Sequence, residues 1–139
     1  MRRGWSGCGE MAQVTVFARR ATIDRHRDAL SDAIHGAVMS ALAYPPEKRF
    51  HRFIGLDPAD FVYPSDRGDE YTIIEVSLFE GRSVEAKRAL IAELFDRIEA
   101  ATGIAPHGIE ITLFETPKVN WGIRGVNGAD LALGYTVEV

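Results

Sequence analysis

The stretch YTIIEVSLFEGRSVEAKRALIAELFDRIEAATG, residues 71–103, decides how the chain folds. Over 71–79 apolar residues alternate. Ile74, Val76 and Leu78 fall on one side and Ile73 and Phe79 on the other, the period of a strand with two occupied faces. From Val84 to Ala101 the period becomes helical. Leu90, Leu94, Ile98 and Ala101 form the inner stripe, widened by Ile91 and Phe95. Between the two lies Glu80-Gly81-Arg82-Ser83. Gly81 lets the backbone bend, Ser83 is an N-cap candidate, and Gly103 is a natural C-terminal stop. Arg82 therefore sits where a strand hands over to a helix. A guanidinium beside a helix N-terminus favours carboxylate or phosphate, against the plainer reading of a surface arginine at a turn.

Upstream, the same pattern occurs once more. Residues 13–17 read as a strand, and Thr22-Ile23-Asp24 opens a helix whose stripe is Leu30, Ile34, Val38 and Leu42, ending before Pro45-Pro46. Gly36 within it suits close packing. A second strand follows over 49–56, and a loop carrying Phe61 and Tyr63 leads into the opening stretch. Ile109, Ile111 and Leu113 make the fourth strand. Ala29-Leu30 matches Ala89-Leu90, and Tyr44-Pro45-Pro46 matches Ile104-Ala105-Pro106, at a shift of sixty residues. This is a duplicated β-α-β unit, halves about 12–57 and 71–115, whose crossovers should be right-handed with parallel strands. The expected fold is α+β: one four-stranded mixed sheet with both helices on one face. The other face, with Ile73 and Phe79, is left without a layer, which predicts a homo-oligomer. Residues 12–139 are read as a single domain. Its glycine-rich end, 116–139, reads as a hairpin and an edge strand, Leu133 to Val139, able to add to a neighbour's sheet.

The 139 residues are 46% hydrophobic and 26% charged, with a net charge of −4. That mildly acidic balance argues against an electrostatic nucleic-acid binder. No apolar run is long enough to span a bilayer, so no membrane partner is expected. Cys8 is the only cysteine, leaving no disulfide framework or thiolate metal cluster, and the four histidines lack ligand spacing, so no metal is expected. A cytoplasmic setting fits. Residues 1–11 differ from the rest: Arg2 and Arg3 precede glycines rather than an apolar segment. They are either a flexible tail or lie ahead of the true start, Met11.

The run from Glu80 to Leu90 resembles the strand-to-helix junction of the tautomerase superfamily, and Pro117-Lys118-Val119-Asn120-Trp121-Gly122-Ile123 resembles the tail motif of 4-oxalocrotonate tautomerase. The fused length is similar to the malonate semialdehyde decarboxylase and macrophage-migration-inhibitory-factor branches. His35-Gly36 and the spacing from Pro45 to Arg49 also resemble the decarboxylases. The resemblance implies a tautomerase-like fold, a homotrimer, no cofactor, and isomerisation of a small 2-oxo or enol acid. It implies a terminal proline amine as base and arginines that hold the substrate carboxylate. This chain departs from that pattern. Ala12 stands at the proline position, Lys48 where the decarboxylases carry aspartate, Glu80 where they carry the first arginine of a pair, and Thr22 opposite Arg82 in the first half. Arg82 is then the expected carboxylate anchor, with Arg49, His51 and Trp121 as further substrate-binding candidates. Ala12 is catalytic only if its amine is free, as it would be in a chain starting at Met11 once that methionine is removed. An α-amino group has a pKa of about 7.7–8.0, lower in a buried cationic pocket. With Ala12 inside the chain, the base would be another group, such as Glu80, His51 or Glu115. The two functional readings are a tautomerase and a catalytically degenerate oligomer that binds small anions or a protein partner.

Overall fold

The computed structural model describes residues 11–131. Strand β1 (Ala12–Arg19) runs directly into helix α1 (Arg20–Leu42), followed by β2 (His51–Leu56). Strand β3 (Thr72–Phe79) leads through a short loop to α2 (Val84–Thr102) and β4 (Ile109–Thr116). A small antiparallel ribbon, β5 (Gly122–Ile123) and β6 (Val126–Asn127), closes the described chain. The expected edge strand from Leu133 to Val139 and the segment 1–10 lie outside the described residues.

The sheet order is β2-β1-β3-β4. Each half supplies a parallel pair, β1 with β2 and β3 with β4, and the halves join through antiparallel β1 and β3. The mixed sheet read from the duplication is the one observed. In β1 alternate residues are buried: Ala12, Val14, Val16 and Ala18 face the helices, and Gln13, Thr15, Phe17 and Arg19 face the other way. Leu30, Ile34 and Val38 of α1 and Leu90, Leu94 and Ile98 of α2 join them in one core with Ile74, Val76 and Leu78. Burial of this apolar layer is the main stabilising term.

The two junctions between strand and helix differ. In the second half Gly81 adopts φ 119°, and the Ser83 hydroxyl accepts a bond from the Ala86 amide at 3.0 Å. The loop and the N-cap expected there are present. In the first half the helix does not wait for Thr22. It starts at Arg20, behind an N-cap residue, Arg19, that makes no side-chain capping bond. The equivalent of the Glu80–Ser83 loop has become the first helical turn, with Thr22 and Ile23 buried. Without a glycine to break the chain, burying Ile23 outweighs the missing cap. At α2's far end Gly103 is left-handed, as expected, and donates its N–H to Glu99. α1 ends instead on Ala43, a non-glycine residue at φ 51°.

The sheet's second face is partly covered from within the chain, which corrects the expectation that Phe79 lies bare. Phe79 is only 1% exposed. The Trp121 ring packs edge-on against it, with centroids 5.1 Å apart. At the opposite end Phe61, Tyr63 and Tyr71 form an aromatic cluster. Ile54 and Phe114 on the same face stay exposed.

Trp121 is held by the turn that follows it. Gly128 donates its N–H to the Trp121 carbonyl at 2.7 Å, and a Cβ at Gly128 would lie 2.4 Å from the Lys118 carbonyl oxygen. Backbone cannot yield as a flexible side chain can. Gly128→Ala is therefore expected to unseat Trp121, quench or shift its fluorescence, and cost about 2 kcal/mol in denaturant unfolding. An unchanged emission spectrum and midpoint would contradict this.

Candidate functional site

The register brings the starts of β1 and β2 and the ends of β3 and β4 to one end of the sheet. Ala12 pairs with Leu78, Leu78 with Glu115, and Val14 with both His51 and Val76. Ala12, Arg49, His51 and Arg82 lie toward this end, and Trp121 packs on Phe79, the last residue of β3.

Arg82 comes from the β3–α2 loop. Its guanidinium donates through Nη1 to the Leu42 carbonyl at 2.9 Å. Leu42 is the last residue of α1, so the cation meets the negative end of a helix dipole. This anchors one nitrogen of a guanidinium with five N–H donors. Two residues further on, Tyr44 is buried, and its hydroxyl oxygen accepts from the Ala12 N–H at 3.2 Å. The segment after α1 therefore ties Arg82 and Ala12 to one short piece of backbone. Ala12 itself is 4% exposed. A cavity of about 260 Å³ beside the loop is lined by Glu80, Gly81, Arg82 and Lys118. Glu80 is exposed, with its backbone N–H held by the Thr116 carbonyl at 3.0 Å.

Arg49 and His51 form a second group. Arg49 lies just ahead of β2 rather than in it, since the strand begins at His51. Its Nη1 donates to Asp32 Oδ1 at 2.7 Å and to Ser31 Oγ at 3.2 Å. Ser31 Oγ also lies 2.8 Å from His51 Nδ1. Arg49 can only donate to the serine oxygen, so the serine proton is available to Nδ1, and in that arrangement the neutral imidazole carries its own proton on Nε2. Burial, then the charge of Arg49, then His35 lower the His51 pKa from 6.5 to about 4, against a smaller opposing effect of Asp32. His51 is therefore neutral near pH 7 and offers a donor, not a cation, to any ligand. Gln13, Arg49, Phe50, His51 and Arg52 line a cavity of about 350 Å³.

Trp121 stands apart from both. It lines a third hollow of about 430 Å³ with Val119, Asn120 and the β5–β6 ribbon. Its indole N–H is buried and has no acceptor among the described residues. Glu115 faces α2, where one carboxylate oxygen accepts from Lys87 Nζ at 2.8 Å and the other is buried without a partner among the described residues. Among the described residues no group of three or more His, Cys, Asp or Glu is placed to hold a metal ion. None of the described helices is long and apolar enough to cross a membrane.

The sequence pattern singled out Arg82, Arg49, His51 and Trp121 but not the division of these groups among separate cavities. It also missed the Tyr44 hydroxyl and the Leu42 carbonyl. Tyr44 was visible only as the residue before two prolines, and nothing local marks a carbonyl that will meet an arginine forty residues away.

Comparison with known proteins agrees with this architecture. The profile of a family described as tautomerase enzymes matches residues 48–124. A probable tautomerase of Ralstonia nicotianae is 39% identical over 54 residues, 39% of this chain and 77% of the relative. The 2-hydroxymuconate tautomerase of Comamonas testosteroni is 33% identical over 57 residues, 41% of this chain and 90% of the relative. Among solved structures, native fused 4-OT superposes with a TM-score of 0.76 at 22% identity, covering 86% of this chain and 98% of that one. Malonate semialdehyde decarboxylase superposes with a TM-score of 0.71 at 21% identity, covering 80% and 89%. The chain belongs to the tautomerase family.

Proposed function

We propose that the protein interconverts the enol and keto forms of a small 2-oxo acid at the Arg82 end of the sheet. The observation that carries this reading is the fixing of Arg82 by the α1 terminus beside a small cavity, on the same backbone segment that meets Ala12. In the proposed reaction Arg82 holds the substrate carboxylate through charge-assisted hydrogen bonds. A base takes the enol O–H proton, the O–H electron pair becomes the carbonyl bond, and the displaced C=C pair accepts a proton at carbon. Arg82 also stabilises negative charge on the enolate oxygen, while His51 presents its imidazole to the hollow at the start of β2. Arg49 and Ser31 orient the His51 ring in that hollow, and Trp121 offers a further wall in the hollow by the β5–β6 ribbon.

The base is the Ala12 nitrogen in a chain that begins at residue 12. Its pKa is then suited to proton transfer near neutral pH, with the Tyr44 hydroxyl as its neighbour. The reaction needs no cofactor or metal. The protein acts as a homotrimer in the cytoplasm. The trimeric state is supported by the fold shared with the fused 4-OT symmetric trimer, TM-score 0.76, and by the exposed Ile54 and Phe114 on the second sheet face.

A second reading follows from Ala12 N–H as seen here, a peptide amide bonded to Tyr44. In a chain that keeps the residues before Ala12, this amide is no base. The fold then serves as an oligomer that binds small anions or a protein partner. Ultraviolet assays of the ketonisation of phenylenolpyruvate and 2-hydroxymuconate, on protein of measured intact mass, separate the two. The tautomerase reading expects acceleration proportional to protein concentration and a mass beginning at Ala12. A mass retaining residues before Ala12 removes the amine mechanism, and the absence of acceleration with both enols removes the tautomerase reading.

A further inference from the structure

His35 is a buried ionisable side chain that the proposed reaction leaves unused. It lies on α1, is 3% exposed, and its Nε2 stands 2.7 Å from the Pro46 carbonyl oxygen. A carbonyl can only accept, so Nε2 carries a proton and donates it. The ring also meets His51 edge-on, with centroids 6.1 Å apart, which limits its rotation.

The bond reaches the turn after α1. Pro45 and Pro46 have no N–H to give, so their hold on the rest of the chain runs through carbonyls and packing. The Pro45 carbonyl accepts from the Lys48 N–H at 3.2 Å within the turn, and the Pro46 carbonyl accepts from His35. Ala43, at φ 51°, is left-handed without being glycine. An L-residue keeps that conformation only where its surroundings hold it. The two prolines stiffen residues 44–46, because each fixes its own φ and narrows the choices of the residue before it. A tie at the Pro46 carbonyl is therefore felt at Tyr44, whose hydroxyl accepts from the Ala12 N–H at 3.2 Å. It is felt also at Leu42, whose carbonyl accepts from Arg82 at 2.9 Å.

On the reading that enol acids are held at Arg82, we propose that His35 is a positioning residue for that site. Its Nε2–H fastens the turn to α1 and so sets where the Tyr44 hydroxyl and the Leu42 carbonyl stand. Those two oxygens, together with further contacts of Arg82 and Tyr44, place the guanidinium and the Ala12 nitrogen. His35 itself touches neither substrate nor base. Without the tie both groups drift, and a displacement of about 1 Å in such groups costs about tenfold to 100-fold in rate.

The test compares His35→Gln and His35→Asn with wild type. The Gln amide nitrogen reaches where Nε2 stands, and the Asn amide nitrogen stops at the Nδ1 position, so only the first keeps the bond to Pro46. kcat/KM for phenylenolpyruvate is expected to fall about tenfold or more in His35→Asn and to stay within about threefold of wild type in His35→Gln. In labelled protein the Arg82 Nε–H resonance should move or broaden in His35→Asn and hold its position in His35→Gln. A role in stability alone would lower the unfolding midpoint of His35→Asn and leave its rate per folded molecule and the Arg82 resonance unchanged. That result overturns the proposal, as does a Gln variant as slow as the Asn variant. If wild type turns over no enol, the tautomerase reading fails by itself, and the Arg82 resonance, which needs no turnover, decides on His35. If His35→Asn does not fold, wild type and His35→Gln still decide. A proton on His35 Nε2 in the nitrogen spectrum of wild type, with the Arg82 resonance unmoved in His35→Gln, supports the proposal. A bare Nε2, or a moved Arg82 resonance, overturns it.

Discussion

Arg82→Ala is expected to lower kcat/KM for an enol acid about 100-fold. The estimate comes from the worth of hydrogen bonds to a charged partner, about 1.5–3 kcal/mol, and a hundredfold is about 2.7 kcal/mol. The side chain serves two partners. Its Nη1–H satisfies the Leu42 carbonyl, and in the proposed complex other N–H groups of the same fork grip the carboxylate. Alanine removes both, so a smaller loss of stability, about 1 kcal/mol, should accompany the kinetic loss. Arg82→Lys separates the two roles. It keeps a cation near the α1 terminus but loses the planar fork, and should recover stability while remaining about tenfold slow. Steady-state kinetics beside denaturant unfolding of both variants check this. Equal rates for wild type and Arg82→Ala would take Arg82 out of the site.

Acidification should cost the fold about 1–2 kcal/mol between pH 6.5 and pH 4, the screening of a half-buried ring by solvent included. The group responsible is His51, whose pKa falls from 6.5 to about 4 in the folded protein. Between those values the unfolded chain binds a proton that the native state refuses, so unfolding becomes easier as pH falls. Above pH 6.5 the imidazole is neutral in both states and contributes no slope. Burial is the main cause of the shift, and of the facing groups Arg49 and His35 oppose a positive charge on the ring while only Asp32 favours it. Glu93 and Glu110, whose carboxyl pKa values are lowered by Arg97 and Tyr71 respectively, lose their contributions only as the pH drops through the ordinary carboxylate range. Their effect therefore begins lower. His51→Asn keeps an acceptor toward Ser31 and cannot titrate. Urea unfolding from pH 7 to pH 4 should show the slope in wild type and a flatter curve above pH 5 in His51→Asn. Parallel curves would contradict the assignment to His51.

Legibility in the sequence followed the local signals. The β3–α2 junction was readable because its glycine, its capping serine and the change of period all lie within a few residues. The β1–α1 junction was misread because nothing marks it. The strand enters the helix at Arg20, and what decides the start is burial of Ile23, a tertiary effect. The duplication made the mixed sheet predictable, since two parallel β-α-β units with apolar helix stripes can share one core. The cover over Phe79 was not predictable, because Trp121 reaches it from the far side of α2 and β4. The same holds at the site. Residue types emerged from motifs, and their partners did not. Arg82 with Leu42, Ala12 with Tyr44, and His51 with Ser31 and Arg49 are pairings that exist only after the sheet has brought its strand ends together.

The substrate carboxylate has one proposed place, beside Arg82, and that place can be observed without turnover. The measurement is a titration of isotopically labelled protein with phenylpyruvate, followed through the Arg82 Nε–H and the backbone amides of Gly81 and Lys118. The account predicts saturable shifts at these groups, abolished in Arg82→Ala. Saturable shifts confined to the opposite end of the sheet, around Asp66 to Glu70, or no saturable shift anywhere, would contradict it.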